Sequence, residues 1–350
     1  MCNSLRSFLW VNRPKVCIYY RLRLQRIMWS SRPSTIEATV RRIAILPAFV
    51  ILTACGDSTA PSPHTFVWTS VPSPTTKRLQ SIWGSSPTNI WAVGEALSNQ
   101  TGDIIHYNGT SWSTVMTGTF LSSVWGTSAS DVWAVGCCDN EIMHFNGTAW
   151  SNSTPFPGVL LQGVWGTSPS NVWSVGTGGT ILHYDGMTWS SVASGTTADL
   201  FSVWGTSSSN VWVAGQDMIL HYDGSSWSVN FDYRPFAVLL TSVWGSSATD
   251  VWALGSAGIR VLAFHYDGSV WSEASPPVSR MISMWGTGPT NLWAVGVAEI
   301  GTGVSHWDGN SWTSIDVGSP QGRLGIWGSS DSNIWIVGSQ GSILHGRAAN

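Results

Sequence analysis

Residues 163–190 read GVWGTSPSNVWSVGTGGTILHYDGMTWS, and this stretch decides the fold. It holds four short runs rich in valine, isoleucine, tryptophan and tyrosine, separated by turn residues. This pattern is typical of four antiparallel strands, here called a to d. Strand a carries Val164 and Trp165, strand b is 172–175, strand c is 181–184, and strand d follows Trp189. The Asp-Gly pair at 185–186 predicts a hairpin turn, because both residues tolerate positive φ angles.

The same pattern recurs along the chain and is marked by the dipeptide Trp-Gly. It occurs at Trp83, Trp125, Trp165, Trp204, Trp244, Trp285 and Trp327, with gaps of 42, 40, 39, 40, 41 and 42 residues. A fixed period of this size means that one supersecondary unit is repeated. A four-stranded sheet of about 40 residues cannot bury both faces alone, whereas radially stacked sheets cover one another. The sequence therefore predicts an all-β protein, a seven-bladed β-propeller with four antiparallel strands per blade.

The seventh repeat lacks a strand d of its own. It stops shortly after residues 343–346, with no Asp-Gly-x-x-Trp. Residues 66–70, Phe-Val-Trp-Thr-Ser, match the strand d of the other repeats. We therefore predict that the last blade is closed by this N-terminal strand, with Trp68 pairing near Leu344. Such closure removes the open strand edge that would otherwise invite aggregation.

Two segments of the repeat carry a resemblance to known families: Val-Trp-Ala-Val-Gly at 132–136, and Ile-Leu-His-Tyr-Asp-Gly-x-x-Trp at 181–189. They resemble the Asp-box propellers of the photosystem II stability/assembly-factor and sialidase-repeat type, and they are similar to kelch repeats. The resemblance covers residues 66–346. The chain has Asp-Gly where an Asp-box has Asp-x-Gly, and its Tyr-to-Trp spacing is shorter than that of kelch. The resemblance implies a propeller, and it implies no single activity.

Residues 1–54 differ in character from the rest of the chain. They hold nine of the 16 basic residues, and Arg41-Arg42 precede an apolar run at 43–52. That run is too short to cross a bilayer and fits a signal peptide. The Leu-Thr-Ala-Cys that ends at Cys55 resembles the lipobox of bacterial lipoproteins, which implies that Cys55 carries the lipid.

The leader suggests where translation starts and where the propeller begins. A start at Met28 gives a leader of 27 residues, inside the usual range of about 15–30. We therefore interpret residues 28–54 as the lipoprotein signal peptide and residues 1–27 as an over-extended gene model. Residues 55–64 are rich in serine, proline and threonine and predict a tether. Residues 65–350 then form the propeller.

Charge and cysteine content narrow the classes of function. From Cys55 onward the chain carries seven basic and 18 acidic residues, a net charge of about −11. This balance disfavours nucleic acid, whose binding depends on phosphate neutralisation. Within the predicted propeller only Cys137 and Cys138 occur, a pair that either forms a strained disulfide or stays as thiols. No zinc spacing, phosphate loop, dinucleotide fingerprint or nucleophile elbow is present, so we expect no metal and no cofactor.

Seven of the eight histidines share one repeat position. They are His106, His144, His183, His221, His265, His306 and His345. A catalytic or metal-binding group is needed once, so seven copies around a ring indicate a structural role. We predict that each imidazole makes a buried hydrogen bond to a Ser/Thr or Asp/Asn side chain of an a–b turn, as in WD-repeat blades.

The two faces of the predicted propeller differ in how much the repeats vary. The a–b and c–d turns share one face, the uniform face, and their sequences are alike in every repeat. The b–c and d–a loops share the other, the variable face. The b–c loops that differ most are 95–102, 137–141, 216–218, 256–263 and 298–303. Loops that vary on a rigid scaffold carry binding functions, so we predict a binding site on the variable face; neutral drift of unconstrained loops is the alternative.

Arginines concentrate in these loops. Arg78 and Arg280 lie five residues before a Trp-Gly, and Arg323 lies four before. Their blades, 1, 6 and 7, are consecutive once the ring closes. Since guanidinium groups recognise carboxylates and phosphates, we predict an anion site at the mouth of the central channel, with Arg234 and Arg260 as further ligand-binding candidates. Sialidases are similar in holding a carboxylate with clustered arginines; the alternative is solvated charges that balance nearby acids.

Taken together, these features predict a non-catalytic, monomeric, lipid-anchored protein of the cell envelope that binds a protein or glycan partner. The alternatives are a carbohydrate-active hydrolase or lyase at the channel mouth, and a lectin whose exposed tryptophans stack on sugars. The scarcity of paired carboxylates weighs against the hydrolase. Burial of the Trp83-type and Trp91-type side chains would weigh against the lectin. Gly56 follows Cys55 where many inner-membrane lipoproteins have Asp, which favours the outer membrane.

Overall fold

The computed structural model describes residues 66–94, 101–136, 142–153, 159–234, 236–277, 280–297, 303–318 and 321–349. Within these ranges the chain forms 28 β-strands, numbered β1 to β28 in chain order, in seven four-stranded sheets. The helices found there are two single 3-10 turns, Thr177–Gly179 and Ser339–Gly341. The prediction of a seven-bladed, all-β propeller is confirmed. The predicted leader, including Cys55, and Cys137-Cys138 lie outside the described residues.

Each blade runs from strand a, which contacts strand a of both neighbouring blades, to strand d at the rim. Blade 1 is β2 (Ser81–Ser86), β3 (Asn89–Val93), β4 (Gly102–Tyr107) and β5 (Trp112–Thr119). Blade 2 is β6 (Leu121–Ser128), β7 (Asp131–Gly136), β8 (Ile142–Phe145) and β9 (Trp150–Asn152). Blade 3 is β10 (Leu161–Ser168), β11 (Asn171–Gly176), β12 (Ile181–Tyr184) and β13 (Trp189–Val192). Blade 4 is β14 (Leu200–Ser207), β15 (Asn210–Gly215), β16 (Met218–Tyr222) and β17 (Trp227–Asp232).

The remaining blades follow the same order. Blade 5 is β18 (Leu239–Ser247), β19 (Asp250–Ala257), β20 (Arg260–Tyr266) and β21 (Trp271–Ala274). Blade 6 is β22 (Arg280–Gly288), β23 (Asn291–Val297), β24 (Val304–Trp307) and β25 (Trp312–Ser314). Blade 7 is β26 (Arg323–Ser330), β27 (Asn333–Gly338), β28 (Ile343–Ala348) and, from the other end of the chain, β1 (Phe66–Ser70).

The ring is closed by β1, as the sequence predicts. This strand pairs antiparallel with β28, and Trp68 lies opposite Gly346. Gly346 occupies the place of the aromatic residue that follows histidine in the other blades. Phe66 supplies the missing ring instead, because its centroid lies 4.9 Å from that of Trp293 in blade 6. The N-terminal strand therefore completes both the hydrogen-bonded sheet and the aromatic packing of blade 7.

The recurring Trp-Gly dipeptide locks each blade to the next. The indole of Trp83 in blade 1 lies over Gly126 in blade 2, where an added Cβ would come within 2.8 Å of the indole Cη2 atom. The contact recurs around the ring and closes at Trp327 over Gly84, where the same distance is 2.7 Å. Interiors are close-packed, and a side chain at these glycines would collide with the neighbouring indole. This contact explains why the two residues recur together.

Strand-b tryptophans form the core between blades. Trp173 packs against Tyr222 and Trp227 of the following blade, with ring centroids 4.9 and 5.4 Å apart. Aromatic pairs of this kind contribute about 0.5–1.5 kcal/mol beyond the area that they bury. The equivalent residues are buried in every blade: Trp91, Trp133, Trp173, Trp212, Trp252, Trp293 and Trp335. Each cluster of buried residues accordingly takes its members from two adjacent blades.

The c–d turns differ from the tight hairpin that the sequence predicts. Tyr184 pairs with Trp189, so four residues form the loop. Gly186 alone has a positive φ, of 97°. The Asp185 carboxylate instead accepts the backbone N–H groups of Met187 and Thr188, each at 2.8 Å. Aspartate therefore acts through its side chain, as turn aspartates commonly do.

Candidate functional site

The uniform face repeats one local geometry. In six of the seven a–b turns, two hydroxyl oxygens two residues apart lie within hydrogen-bond distance, as at Ser168 and Ser170, 3.3 Å apart. In blade 6 Gly288 takes the place of the first hydroxyl. Because this turn geometry is the same in nearly every blade, we assign it a structural role and no recognition site.

The histidines also belong to the scaffold, as predicted. His183 Nε2 lies 2.6 Å from Asn171 Oδ1 at the end of its a–b turn, and its ring packs 4.2 Å from Trp173. Burial lowers the pKa of His183 below its usual value, which keeps the imidazole neutral. The corresponding pairs in the other blades are His106–Asn89, His144–Asp131, His221–Asn210, His265–Asp250, His306–Asn291 and His345–Asn333.

Among the described b–c connections, the variable face is built in more than one way. Blades 3 and 7 turn from strand b to strand c through the short 3-10 helices at Thr177–Gly179 and Ser339–Gly341. In blade 5 the predicted loop 256–263 is wrong: β19 and β20 continue as a hairpin to Ala257 and Arg260. Its tip is Gly258, at a φ of 59°, and Ile259. Within the predicted loop, Val261 pairs with Ser256 and Arg260 pairs with Ala257, so the β19–β20 ladder continues to the tip.

Arg323, predicted at the channel mouth, is a fully buried residue at the start of β26. Its position is apolar and buried in the other six blades, where Leu79, Leu121, Leu161, Leu200, Leu240 and Met281 stand. Burial lowers the pKa of its guanidinium from the usual value. The side chain therefore occupies a core position of blade 7 rather than the solvent of the variable face.

Arg78 and Arg280 occupy one repeat position on blades 1 and 6, on either side of Gly322 in blade 7. Arg280 is exposed and begins β22, so it is a strand residue rather than the loop residue that the sequence suggests. Arg78 is half-buried, and its Nε has no hydrogen-bond partner among the described residues. The two arginines thus stand at the same repeat position on blades 1 and 6, and glycine occupies that position on blade 7 between them.

Arg234 and Arg260 are exposed and carry local ion pairs. Arg234 binds Asp232 through Nε and Nη2, and this contact lowers the pKa of that carboxyl to about 2. Arg260 Nη2 lies 2.5 Å from Glu273 Oε1 across the β20–β21 pair. These two arginines therefore sit on blades 4 and 5, apart from Arg78 and Arg323.

Sequence reasoning missed a buried carboxylate on the same face. Asp103, at the start of strand c in blade 1, accepts Lys77 Nζ at 2.7 Å and Thr75 Oγ1 at 2.6 Å. It is almost fully buried, so it needs these partners. The pair fastens the d–a loop that follows β1 to blade 1. The sequence does signal this carboxylate. Asp103 lies three residues before the repeat histidine, where blades 3, 5, 6 and 7 have threonine, leucine, glycine and serine.

The central channel holds a cavity of about 210 Å³. All seven blades contribute to its wall, chiefly through the residue three before each tryptophan. These residues are Gln80, Ser122, Gln162, Phe201, Thr241, Ile282 and Leu324. The wall is polar on blades 1 to 3 and mostly apolar on blades 4, 6 and 7. None of the predicted arginines belongs to the lining formed by the described residues.

Two other features bear on chemistry. In the described parts of the chain, no three His, Cys, Asp or Glu side chains are grouped as metal ligands are. No helix in those parts has the length and apolar character required to cross a bilayer.

The tryptophans are largely occupied in holding the blades together. The strand-b tryptophans, equivalent to Trp91, are buried. Among the strand-a tryptophans, equivalent to Trp83, Trp327 is buried and the others are half-buried, each packed over a glycine of the next blade. Sugar stacking requires an open aromatic face. This arrangement leaves the described tryptophans without the exposed platform that the lectin alternative requires.

Comparison with known proteins supports the propeller fold. No protein-family profile and no curated protein sequence matches the chain. Solved structures do: YCF48 bound to a D1 peptide is 15% identical with a TM-score of 0.64, covering 81% of this chain and 97% of that one. A catalytically inactive virginiamycin B lyase from Staphylococcus aureus with quinupristin is 13% identical with a TM-score of 0.69, covering 81% and 100%.

A third similar structure is the WD40 β-propeller domain of Doa1, at 12% identity and a TM-score of 0.62, covering 81% of this chain and 96% of that one. The three similar proteins differ in what they bind or do. Their likeness to this chain therefore establishes the β-propeller and leaves the function to the details of the site.

Proposed function

We propose that this chain is a non-catalytic, lipid-anchored protein of the bacterial cell envelope that binds a protein partner through its variable face. The observation that carries the proposal is the contrast between the faces: one geometry is repeated on the uniform face, whereas the described b–c connections include a 3-10 turn in blades 3 and 7 and an extended hairpin in blade 5. Loops of differing shape on a rigid frame are the usual location of recognition. A protein partner also agrees with the peptide named in the YCF48 structure and with the WD40 likeness.

A catalytic role has less support from the described residues. General acid–base chemistry requires a titratable group within hydrogen-bond reach of the substrate. The channel wall consists of neutral side chains, among them Gln80, Gln162 and Thr241. The histidines that would serve as bases are committed to the a–b turns, at the opposite face. The lyase among the similar structures keeps catalysis as the second candidate function.

The anchor is proposed from the lipobox-like sequence at Cys55. The chain enters the propeller at Phe66, which pairs with Ala348 at the c–d end of blade 7, on the uniform face. The described chain thus begins on the uniform face, opposite the proposed binding face. Replacing Cys55 by serine should move the protein from the membrane to the soluble fraction; retention in the outer-membrane fraction would contradict the anchor.

Site-specific photo-cross-linking tests the proposed binding face. A photoreactive phenylalanine analogue would replace Gln216 or Val297 on the variable face, and Met187 or Ser269 on the uniform face, in the full chain expressed in its native cells. All four positions are exposed. We expect discrete protein adducts from the first pair only. Adducts of equal yield from both faces, or none from the variable face, would refute the proposal.

The predicted arginines remain part of this proposal. Arg78 and Arg280 stand at the same repeat position on blades 1 and 6, on either side of Gly322 in blade 7, and their guanidinium groups would bind carboxylates of the partner. The double substitution of both arginines by alanine should reduce the yield of variable-face adducts severalfold. The single substitution of Arg347, which lies on the uniform face, is the matched control. Equal yields in the two variants would show that these arginines are solvated rim charges.

A further inference from the structure

The variable face carries a group of exposed apolar side chains on blades 4 to 6. Ile259 at the tip of the β19–β20 hairpin is 97% exposed, Phe236 is 64% exposed, Val297 45% and Leu239 36%. We call these four residues the apolar ridge. On the described part of this face, Leu160 of blade 3 is the other large apolar side chain so exposed. Contiguous exposed apolar groups with a polar rim mark interaction surfaces, whereas scattered ones do not.

The strand register places Leu239 near the hairpin tip that carries Ile259, and Val297 on the adjacent blade. Leu239 lies opposite Ser256 on β19, and the turn that carries Ile259 begins just beyond. Val297, at the end of β23, lies opposite Arg280, at the start of β22, on the variable-face side of blade 6. Strand β22, which begins at Arg280, packs against both β19 and β20. The four ridge residues therefore lie at the variable-face ends of blades 5 and 6 and in the loop that joins blade 4 to blade 5.

The loop that carries Phe236 is fixed by its surroundings. The ring of Phe236 packs 5.1 Å from Tyr233, which packs 5.2 Å from the buried Phe264. Asp217 clamps the base of the loop, because its carboxylate accepts the Val238 N–H and its carbonyl accepts the Tyr233 N–H. A preformed surface loses little conformational entropy when it binds.

A polar depression adjoins the ridge. It has a volume of about 670 Å³ and lies between the b–c turn and the d–a loop of blade 3. Its wall includes Gly178, Ser194 and Thr196, and Arg234 closes one side. Arg234 uses Nε and Nη2 to hold Asp232. A guanidinium has five N–H donors, so further donors of Arg234 are available to a carboxylate in the depression.

Apolar and charged groups are thus interleaved on one surface, where Arg234 and Arg260 form ion pairs with Asp232 and Glu273. Arg234 lies two residues before Phe236, Arg260 follows Ile259 directly, and Arg280 is paired with Val297 across the ladder. Three of the seven basic residues that follow Cys55 lie here. Arginine and aromatic residues are the side chains enriched at the energetic centres of protein interfaces.

We propose that the apolar ridge and the depression beside Arg234 together bind an extended acidic segment of a protein partner. Aliphatic or aromatic side chains of the segment pack on Ile259 and Phe236, and a nearby carboxylate enters the depression to meet Arg234. This inference rests on the proposed function, since it identifies which part of the variable face binds and what chemistry the partner presents. Exposed aliphatic groups favour a peptide over a glycan, because they offer burial to apolar side chains rather than hydrogen bonds to hydroxyls.

The test uses fluorescein-labelled synthetic peptides of twelve residues and the full chain. One peptide alternates Leu or Phe with Asp or Glu; a second replaces the acids by Asn and Gln; a third replaces the apolar residues by Ser. Fluorescence anisotropy should show that the first peptide binds at least about tenfold more tightly than the other two, and less tightly as salt rises. Equal affinity for all three peptides, or no binding, would overturn the proposal.

Three variants localise the site. Ile259→Asp and Arg234→Gln should each weaken binding of the acidic peptide by about tenfold or more. The matched control is Met187→Asp, which places the same charge at an 82% exposed apolar residue of the uniform face. It should leave binding unchanged. Equal losses in Met187→Asp and Ile259→Asp would overturn the proposal, because the effect would then be one of net charge.

Two further outcomes separate this inference from the proposed function. Variable-face cross-links that persist unchanged in Ile259→Asp would overturn the ridge and leave the binding face intact. Absence of variable-face cross-links would remove both. Self-association of the free protein that Ile259→Asp abolishes would show that a second copy of this chain covers the ridge, and would also overturn the proposal; size-exclusion chromatography with light scattering measures it.

Discussion

At the scale of single residues, the histidines show how burial converts a chemically versatile side chain into a structural one. His345 packs in parallel with Trp335 at 3.9 Å, and its Nε2 lies 2.5 Å from Asn333 Oδ1. Burial, together with the nearby charge of Arg347, lowers the pKa of His345 to about 4. The neutral imidazole is the form that donates one hydrogen bond and stacks on the indole. The contact between an imidazole and the a–b turn, which recurs in all seven blades, therefore contributes to stability.

This arrangement predicts a loss of stability in mild acid. Burial lowers the pKa of His106, His183, His221 and His306 as well as that of His345, so the unfolded chain binds more protons than the folded one. The stability that depends on these neutral imidazoles is complete above the unfolded-state pKa of about 6.5 and is lost as the pH falls from there through their lowered folded-state pKa values. The urea midpoint should therefore be lower at about pH 5 than at about pH 7.5. The variant His345→Gln, which keeps a donor for Asn333, should show a smaller difference; identical pH dependence in both proteins would argue against the assignment.

At the scale of elements, β1 closes the ring of blades by pairing with β28. It supplies the fourth strand of blade 7 and the two aromatic side chains that face Trp293, Phe66 at 4.9 Å and Trp68 at 5.9 Å. Every other blade builds these contacts from residues that are local in sequence. Blade 7 builds them from residues separated by nearly the whole propeller, so the seam depends on a five-residue strand.

Substitutions in β1 should test this seam. Phe66→Ala removes the ring that replaces the missing tyrosine-type aromatic, and it should lower the free energy of unfolding by about 2 kcal/mol, less than the 3–5 typical of fully buried phenylalanine. Val67→Ala is the matched control, because Val67 is the exposed neighbour on the other side of the strand. It should change the free energy by less than about 0.5 kcal/mol. Denaturant unfolding followed by tryptophan fluorescence measures both; equal effects would mean that Phe66 makes no special contribution.

At the scale of the whole molecule, the repeat was enough to predict the architecture. The residues that depart from the repeat were not correctly predicted. Period, turn residues and the displaced strand at 66–70 were enough for seven blades and their closure, since each follows from local pattern. Arg323 was grouped with the exposed arginines, although it lies four residues before Trp327, the spacing of the buried Leu79 and Leu121 in their repeats. The segment around Gly258 was predicted as part of a loop, whereas β19 and β20 extend to Ala257 and Arg260 on either side of it. Alignment of the repeats in the sequence marks the unusual residues, and the structure shows what surrounds them.

The apolar ridge was missed for a related reason. Ile259 stands in the segment 256–263 that the sequence predicts as a variable loop, and its exposure depends on how far β19 and β20 extend beyond the blade. The arginines attracted attention because charge is visible in a sequence, whereas exposure of an aliphatic side chain is not. The part of the site that depends on long-range placement therefore required the structure.

The interlock between blades gives the last prediction, which concerns the ring as a whole. At Gly286 of blade 6 an added Cβ would lie 2.6 Å from the Asn291 carbonyl oxygen and 2.9 Å from Trp244 Cη2 of blade 5. At Gly288, two residues further along the same strand, an added Cβ would meet nothing within 4 Å. Gly286→Ala should therefore force the blades apart and lower the free energy of unfolding by about 1–3 kcal/mol. Gly288→Ala should be neutral or slightly stabilising, because alanine narrows the unfolded ensemble without strain. Thermal and denaturant unfolding of the two variants compare them directly. Similar stability in both would mean that the tryptophan ring tolerates a methyl group, and that blade spacing is set by something other than the Trp-Gly contact.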